Sequence, residues 1–130
     1  MENFVILNIK NSQDFKKLSS SRIKFICKTL IVIADKTNEK LHFNPNEGLN
    51  AKIFCRVGYT VSKKVSKLAV KRNKTKRRLR EVFRKIAHQY CQNNYDYVII
   101  ARPQIIECEF SAIKRDLEFC LKNLSKICSK

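Results

Sequence analysis

The sequence predicts one α/β domain spanning residues 1–130, with residues 1–8 and 127–130 loose at its ends. A length of 130 residues is one domain's worth. Hydrophobic residues make up 44%, eight of them Phe and four Tyr, which is enough for a core. A disordered basic tail could not offset its ordering entropy and would lack that content. Segments with strand period and segments with helix period follow one another along the chain, the pattern of a mixed fold. Only two Gly and two Pro occur, which excludes a Gly-rich phosphate loop, a collagen repeat and a low-complexity linker.

The elements follow in order. Ser12 is placed to cap a short helix at 13–18, where Phe15 and Leu18 share one face. Residues 25–34 (FICKTLIVIA) are β-branched and apolar and read as a strand. Residues 35–50, with Asn38, Asn44, Pro45, Asn46 and Gly48, read as a loop with room for another short strand. Residues 52–62 alternate, with Ile53, Cys55, Val57, Tyr59 and Val61 on one face and Phe54, Arg56, Gly58, Thr60 and Ser62 on the other. A long helix at 67–92 carries Leu79, Val82, Phe83, Ile86 and Tyr90 as one apolar stripe, and Asn93-Asn94 stops it. Residues 95–101 (YDYVIIA) form another strand, followed by Pro103. A last helix at 108–127 places Phe110, Ile113, Leu117, Cys120, Leu121 and Leu124 in phase. These stripes are core.

The formal charge is +17, and it is concentrated. Residues 63–85 hold twelve basic groups and one acid, Glu81. Such a block repels itself unless a polyanion neutralises it, and a nucleic acid does so while releasing counterions. A merely solvated face would mix signs. On a wheel of about 100° per residue with Leu79 at zero, Lys76, Arg80, Asn73, Arg84 and Arg77 fall between about 60° and about 160°. They make one polar arc beside the core stripe. Arginine forks suit phosphate oxygens. A second arc carries Lys71, Lys74, Arg78 and Lys85, with Glu81 among them, and reads as solvated surface or electrostatic steering. Arg72 projects to the core side near the start of the helix, and Lys63 and Lys64 stand just before it.

Nothing in the chain reads as a protein catalyst. The carboxylates are scattered, with no paired Asp of a two-metal nuclease. The histidines, His42 and His88, have no Ser or Cys partner at a recognisable spacing, and none of the six Cys forms a CxxC pair. The cysteines read as reduced thiols filling apolar sites. No apolar run approaches the roughly 20 residues that span a bilayer. The first residues, Met1-Glu2-Asn3-Phe4, do not read as a secretory signal, so the expected compartment is the cytoplasm.

The run Val57-Gly58-Tyr59-Thr60-Val61-Ser62-Lys63-Lys64, followed by Arg72-Asn73-Lys74-Thr75-Lys76-Arg77-Arg78-Leu79-Arg80-Glu81-Val82-Phe83-Arg84, resembles the bacterial ribonuclease P protein component. The Arg-Asn-x-x-Lys-Arg-x-x-Arg core matches that family's signature, and the resemblance covers about residues 9–125, with Ile9, Phe15 and Leu18 at apolar positions of its first helix. It implies a small two-layer α/β (α+β) sandwich with a mixed sheet and a left-handed βαβ crossover, similar to the second domain of ribosomal protein S5. It implies a protein subunit that joins one ribonuclease P RNA, one to one, and binds the 5′ leader of precursor tRNA. The holoenzyme removes that leader by hydrolysing one phosphodiester, with Mg²⁺ held mainly by the RNA and none bound tightly by the protein alone. By the same resemblance Lys63, Lys64, Arg72, Asn73, Lys76, Arg77, Arg80 and Arg84 are the RNA-binding set, and Phe15, Leu30 and Val32 wall the leader cleft. No membrane or DNA partner is expected. The runner-up is a ribosomal or general RNA-binding module of similar fold.

Overall fold

The structure, a computed structural model, describes residues 4–9, 12–36, 52–91 and 95–128. The chain runs β1 (Phe4–Asn8), α1 (Ser12–Ser19), β2 (Lys24–Ile26), β3 (Leu30–Lys36), β4 (Lys52–Thr60), α2 (Ala69–Tyr90), β5 (Tyr95–Ala101), a 3₁₀ turn (Pro103–Glu107) and α3 (Phe110–Cys128). The strands form one mixed sheet in the order β1-β4-β5-β3-β2. β1 and β5 both run parallel to β4, and β3 is antiparallel to β5 and to β2.

β5 occupies the centre of the sheet, which explains its near-continuous apolar run: both of its faces are covered. α2 makes the crossover between the parallel neighbours β4 and β5. α2 and α3 pack over one face. Leu79, Val82, Phe83 and Ile86 meet Ile113, Leu117, Leu121 and Leu124 above Leu30, Val32, Cys55, Val57, Tyr97 and Ile99. Full burial of each such side chain contributes about 1.5–3 kcal/mol. α1 covers part of the opposite face, where Ile9, Leu18 and Val98 form a smaller cluster with Phe15 and Ile100 against it.

Two expectations are corrected here. Residues 4–8, expected to be loose, are β1, an apolar FVILN segment that pairs with the edge of β4. The single strand expected at 25–34 is two strands, β2 and β3, joined by a tight reversal at residues 27–29. The Cys27 amide donates to the Leu30 carbonyl at 2.8 Å. Thr29 donates through both its amide and its hydroxyl to the Asp116 carboxylate on α3, at 3.2 and 2.6 Å. Arg102 donates from its guanidinium to the Cys27 carbonyl at 2.9 Å. Polar long-range partners therefore hold a turn that an apolar local sequence conceals. α2 and α3 lie within two residues of their expected bounds. His42 and most of the loop expected at 35–50 lie outside the described residues.

Candidate nucleic-acid interface

The interface is built on the first half of α2. The helix is fixed by its apolar stripe, with Leu79, Val82, Phe83, Ile86 and Ala87 buried against the sheet. That stripe leaves the other positions outward. Among these, Asn73, Lys76, Arg77 and Arg80 line one open groove of about 450 Å³ together with Val70 and Lys74, and no acid lines it. Four of the five residues placed on the polar arc thus share a concave surface. The fifth, Arg84, is exposed one turn further on.

The local sequence makes this end of the helix electropositive. No acid lies in the first turn, and Leu68 at the N-cap supplies no side-chain acceptor. The first-turn amides and the positive end of the helix dipole therefore add to the side-chain charge. Arg72 bends back, donating to the Ser66 and Lys67 carbonyls at 3.0 Å each, and so braces the turn that leads into α2. Lys63 and Lys64 are exposed in the turn after β4. The second arc borders a different surface: Lys71 and Arg78 line a cavity of about 250 Å³ with Ile105, Ile106 and Ile113, and Lys74 stands between the two, lining both. Lys85 lies 5.6 Å from the Phe110 ring centre, a cation–π contact with α3.

Tyr59 backs the arc. Its ring meets Phe83 edge-on at 6.3 Å, and the Arg80 guanidinium lies 5.8 Å from its centre. Burial pushes the Tyr59 hydroxyl above its ordinary pKa, against the pull of the Arg80 and Arg84 charges. The hydroxyl therefore stays neutral beside the two arginines. The sequence pattern set Tyr59 on the same strand face as Cys55 and Val57 but did not reveal this support of Arg80.

On the opposite face of the sheet, Phe15 of α1 is half-buried and rests against Gly58 of β4. Leu30 and Val32 do not join it. Both are fully buried, 0% exposed, in the core beneath α2 and α3. Strand residues alternate between faces, so the β3 residues directed to the α1 side are Ile31 and Ile33, one position away. The placement of Leu30 and Val32 in the cleft is therefore corrected. Beside Gly58 on this face, Arg56 and Asp96 form a buried two-pronged ion pair, with Nε to Oδ1 at 2.8 Å and Nη2 to Oδ2 at 2.5 Å. They face each other across the parallel β4–β5 register, so each charge meets its counter-charge inside the sheet.

Among the described residues no three His, Cys, Asp or Glu come together. The described cysteines 27, 55, 91, 108 and 120 form no disulfide. No described helix is long and apolar enough to cross a membrane.

The sequence matches the family model described as Ribonuclease P over residues 6–125. It is 35% identical over 117 residues to the ribonuclease P protein component of Caldanaerobacter subterraneus subsp. tengcongensis, covering 90% of this chain and 88% of the relative. It is 32% identical over 125 residues to that of Pediococcus pentosaceus, covering 94% and 91%. The fold is similar to the Staphylococcus aureus RNase P protein, with a TM-score of 0.68, 28% identity, and coverage of 88% and 92%. It is also similar to the Thermotoga maritima RNase P protein, with a TM-score of 0.69, 23% identity, and coverage of 89% and 96%. A matched family model across nearly the whole chain, the five-stranded sheet and the basic arc of α2 agree: the chain belongs to the ribonuclease P protein family, whose role is the maturation of tRNA 5′ ends.

Proposed function

We propose that this protein is the subunit that grips a ribonuclease P RNA through α2 and steadies the 5′ leader of precursor tRNA against α1. The observation that carries the reading is the groove of Asn73, Lys76, Arg77 and Arg80, four outward donors on one helix with no acid among the lining residues. Rigid, closely spaced donors of this kind suit the phosphates of a folded RNA, and phosphate contacts set position without reading sequence. Lys63, Lys64 and Arg84 extend the positive field, and Arg72 holds the turn that orients it. On the other face the half-buried Phe15 ring, with Ile31 and Ile33 of β3, is the apolar wall for single-stranded leader bases.

In this reading the protein supplies charge and grip, and the hydrolytic step and its Mg²⁺ belong to the RNA. The compartment is the cytoplasm, where precursor tRNA is processed. The test is reconstitution: the protein is mixed with its own organism's ribonuclease P RNA at low Mg²⁺, and precursor tRNA is added. Restored 5′ cleavage supports the proposal. Ribosome co-sedimentation without cleavage, or tight binding to duplex DNA, would replace it with the corresponding reading.

A further inference from the structure

Gly58 lies in the middle of β4, paired with Val98 on β5, and its backbone is ordinary extended strand. What excludes a side chain there is space. A Cβ built at Gly58 would stand 2.4 Å from Cζ and 2.6 Å from Cε1 of Phe15. Carbon atoms rest about 3.5–4.0 Å apart, so any side chain at this position must lift the ring off the sheet by an ångström or more. Phe15 is the ring on α1, and α1 touches the sheet through Leu18 and Phe15 beside Val98 and Ile100. The bare backbone of one strand residue therefore fixes how deep the aromatic wall sits.

We infer that Gly58 is a positioning residue for Phe15: it sets the depth of the ring and, through it, the width of the channel that accepts single-stranded RNA ahead of the cleavage site. This rests on the reading of Phe15 as a leader contact. A stacking ring acts over a narrow range of separations, so a lifted ring both loses its seat and narrows the channel. Gly58 makes no contact with RNA in this account and acts only through Phe15.

The test is a double-mutant cycle in the reconstituted holoenzyme, with precursor and mature tRNA affinities measured for Phe15→Ala, Gly58→Ala and the double variant. Phe15→Ala is expected to weaken precursor tRNA by about tenfold and mature tRNA hardly at all. Gly58→Ala is expected to weaken precursor tRNA at least about threefold with the same selectivity, and to add nothing in the Phe15→Ala background. In the free protein, Gly58→Ala is expected to change the ring-current shifts of the Val98 methyl groups, which reports ring movement independently of RNA. If Gly58→Ala alone does not fold, the double variant, in which the ring is gone, is expected to fold and to bind as Phe15→Ala does. Four outcomes overturn the positioning role: an equal loss for both tRNAs, the same loss from Gly58→Ala with or without the ring, no loss beside a Phe15→Ala effect, or a misfolded double variant. No leader-dependent loss from Phe15→Ala would remove the leader reading itself, while the Val98 shifts would still report on the Gly58–Phe15 contact.

Discussion

Single residues divide into those that carry charge outward and those that hold them in place. Arg56 and Asp96 belong to the second kind. Both are buried, so removing one charge strands the other in a dry environment. Asp96→Asn is expected to cost about 3–5 kcal/mol, read as a drop in the denaturation midpoint. A shift within experimental error would mean water reaches the pair. Tyr59 gives a pH prediction. Its folded-state pKa is raised by burial, so the folded protein holds the phenolic proton where the unfolded chain, with a pKa of about 10, releases it. The associated stability is complete below about pH 10 and is lost as pH rises beyond it. Wild type compared with Tyr59→Phe therefore keeps a constant difference in unfolding midpoint from neutral pH to about pH 10 and falls relative to the variant only above it. A constant difference throughout would place the hydroxyl in water. The residue scale is also where the sequence was least explicit. Its alternation put Cys55, Val57 and Tyr59 on one face of β4 and Arg56 and Gly58 on the other, as found. It could not show that Asp96 pairs with Arg56, because they are forty positions apart and meet only through sheet register.

At the scale of elements, α2 was legible because one helix carries two periodic signals, an apolar stripe and a polar arc. Tertiary packing needs the first and leaves the second outward. β3 was legible as a strand, but its facing was not. Leu30, Val32 and Ala34 form the buried row, and an apolar run offers no polar residue to mark which side meets the helices. β1 and the 3₁₀ turn carried no periodic signal of useful length. The composition of α2 has an energetic consequence. Like charges recur four apart, as in Arg72–Lys76, Lys76–Arg80 and Arg80–Arg84, each pair destabilising a helix by a few tenths of a kcal/mol. Its first turn lacks the acids and side-chain cap that would offset this. A polyanion removes the repulsion. Addition of ribonuclease P RNA is expected to slow amide exchange in the first half of α2 more than in α3, and equal protection of both helices would argue against docking there. The second arc, bordering a different surface, is expected to affect association speed: Lys71→Ala with Arg78→Ala should slow RNA capture and leave the dissociation rate nearly unchanged.

For the whole molecule, the sheet keeps two surfaces apart. α2 rides on the face covered with α3, and α1 lies on the other face, so the cationic groove and the Phe15 wall are built by different layers around one central strand, β5. In the proposed reading, this arrangement lets one small protein hold two parts of an RNA complex. The net charge of +17 destabilises the compact state by self-repulsion, which an RNA partner relieves. The direct measurement is the salt dependence of ribonuclease P RNA binding. Each phosphate contact contributes a slope of about 0.7–0.9 in log affinity against log salt. Arg77→Ala with Arg80→Ala is predicted to weaken binding and to flatten that slope by about one to two units. An unchanged slope would show that the arc of α2 does not face the RNA.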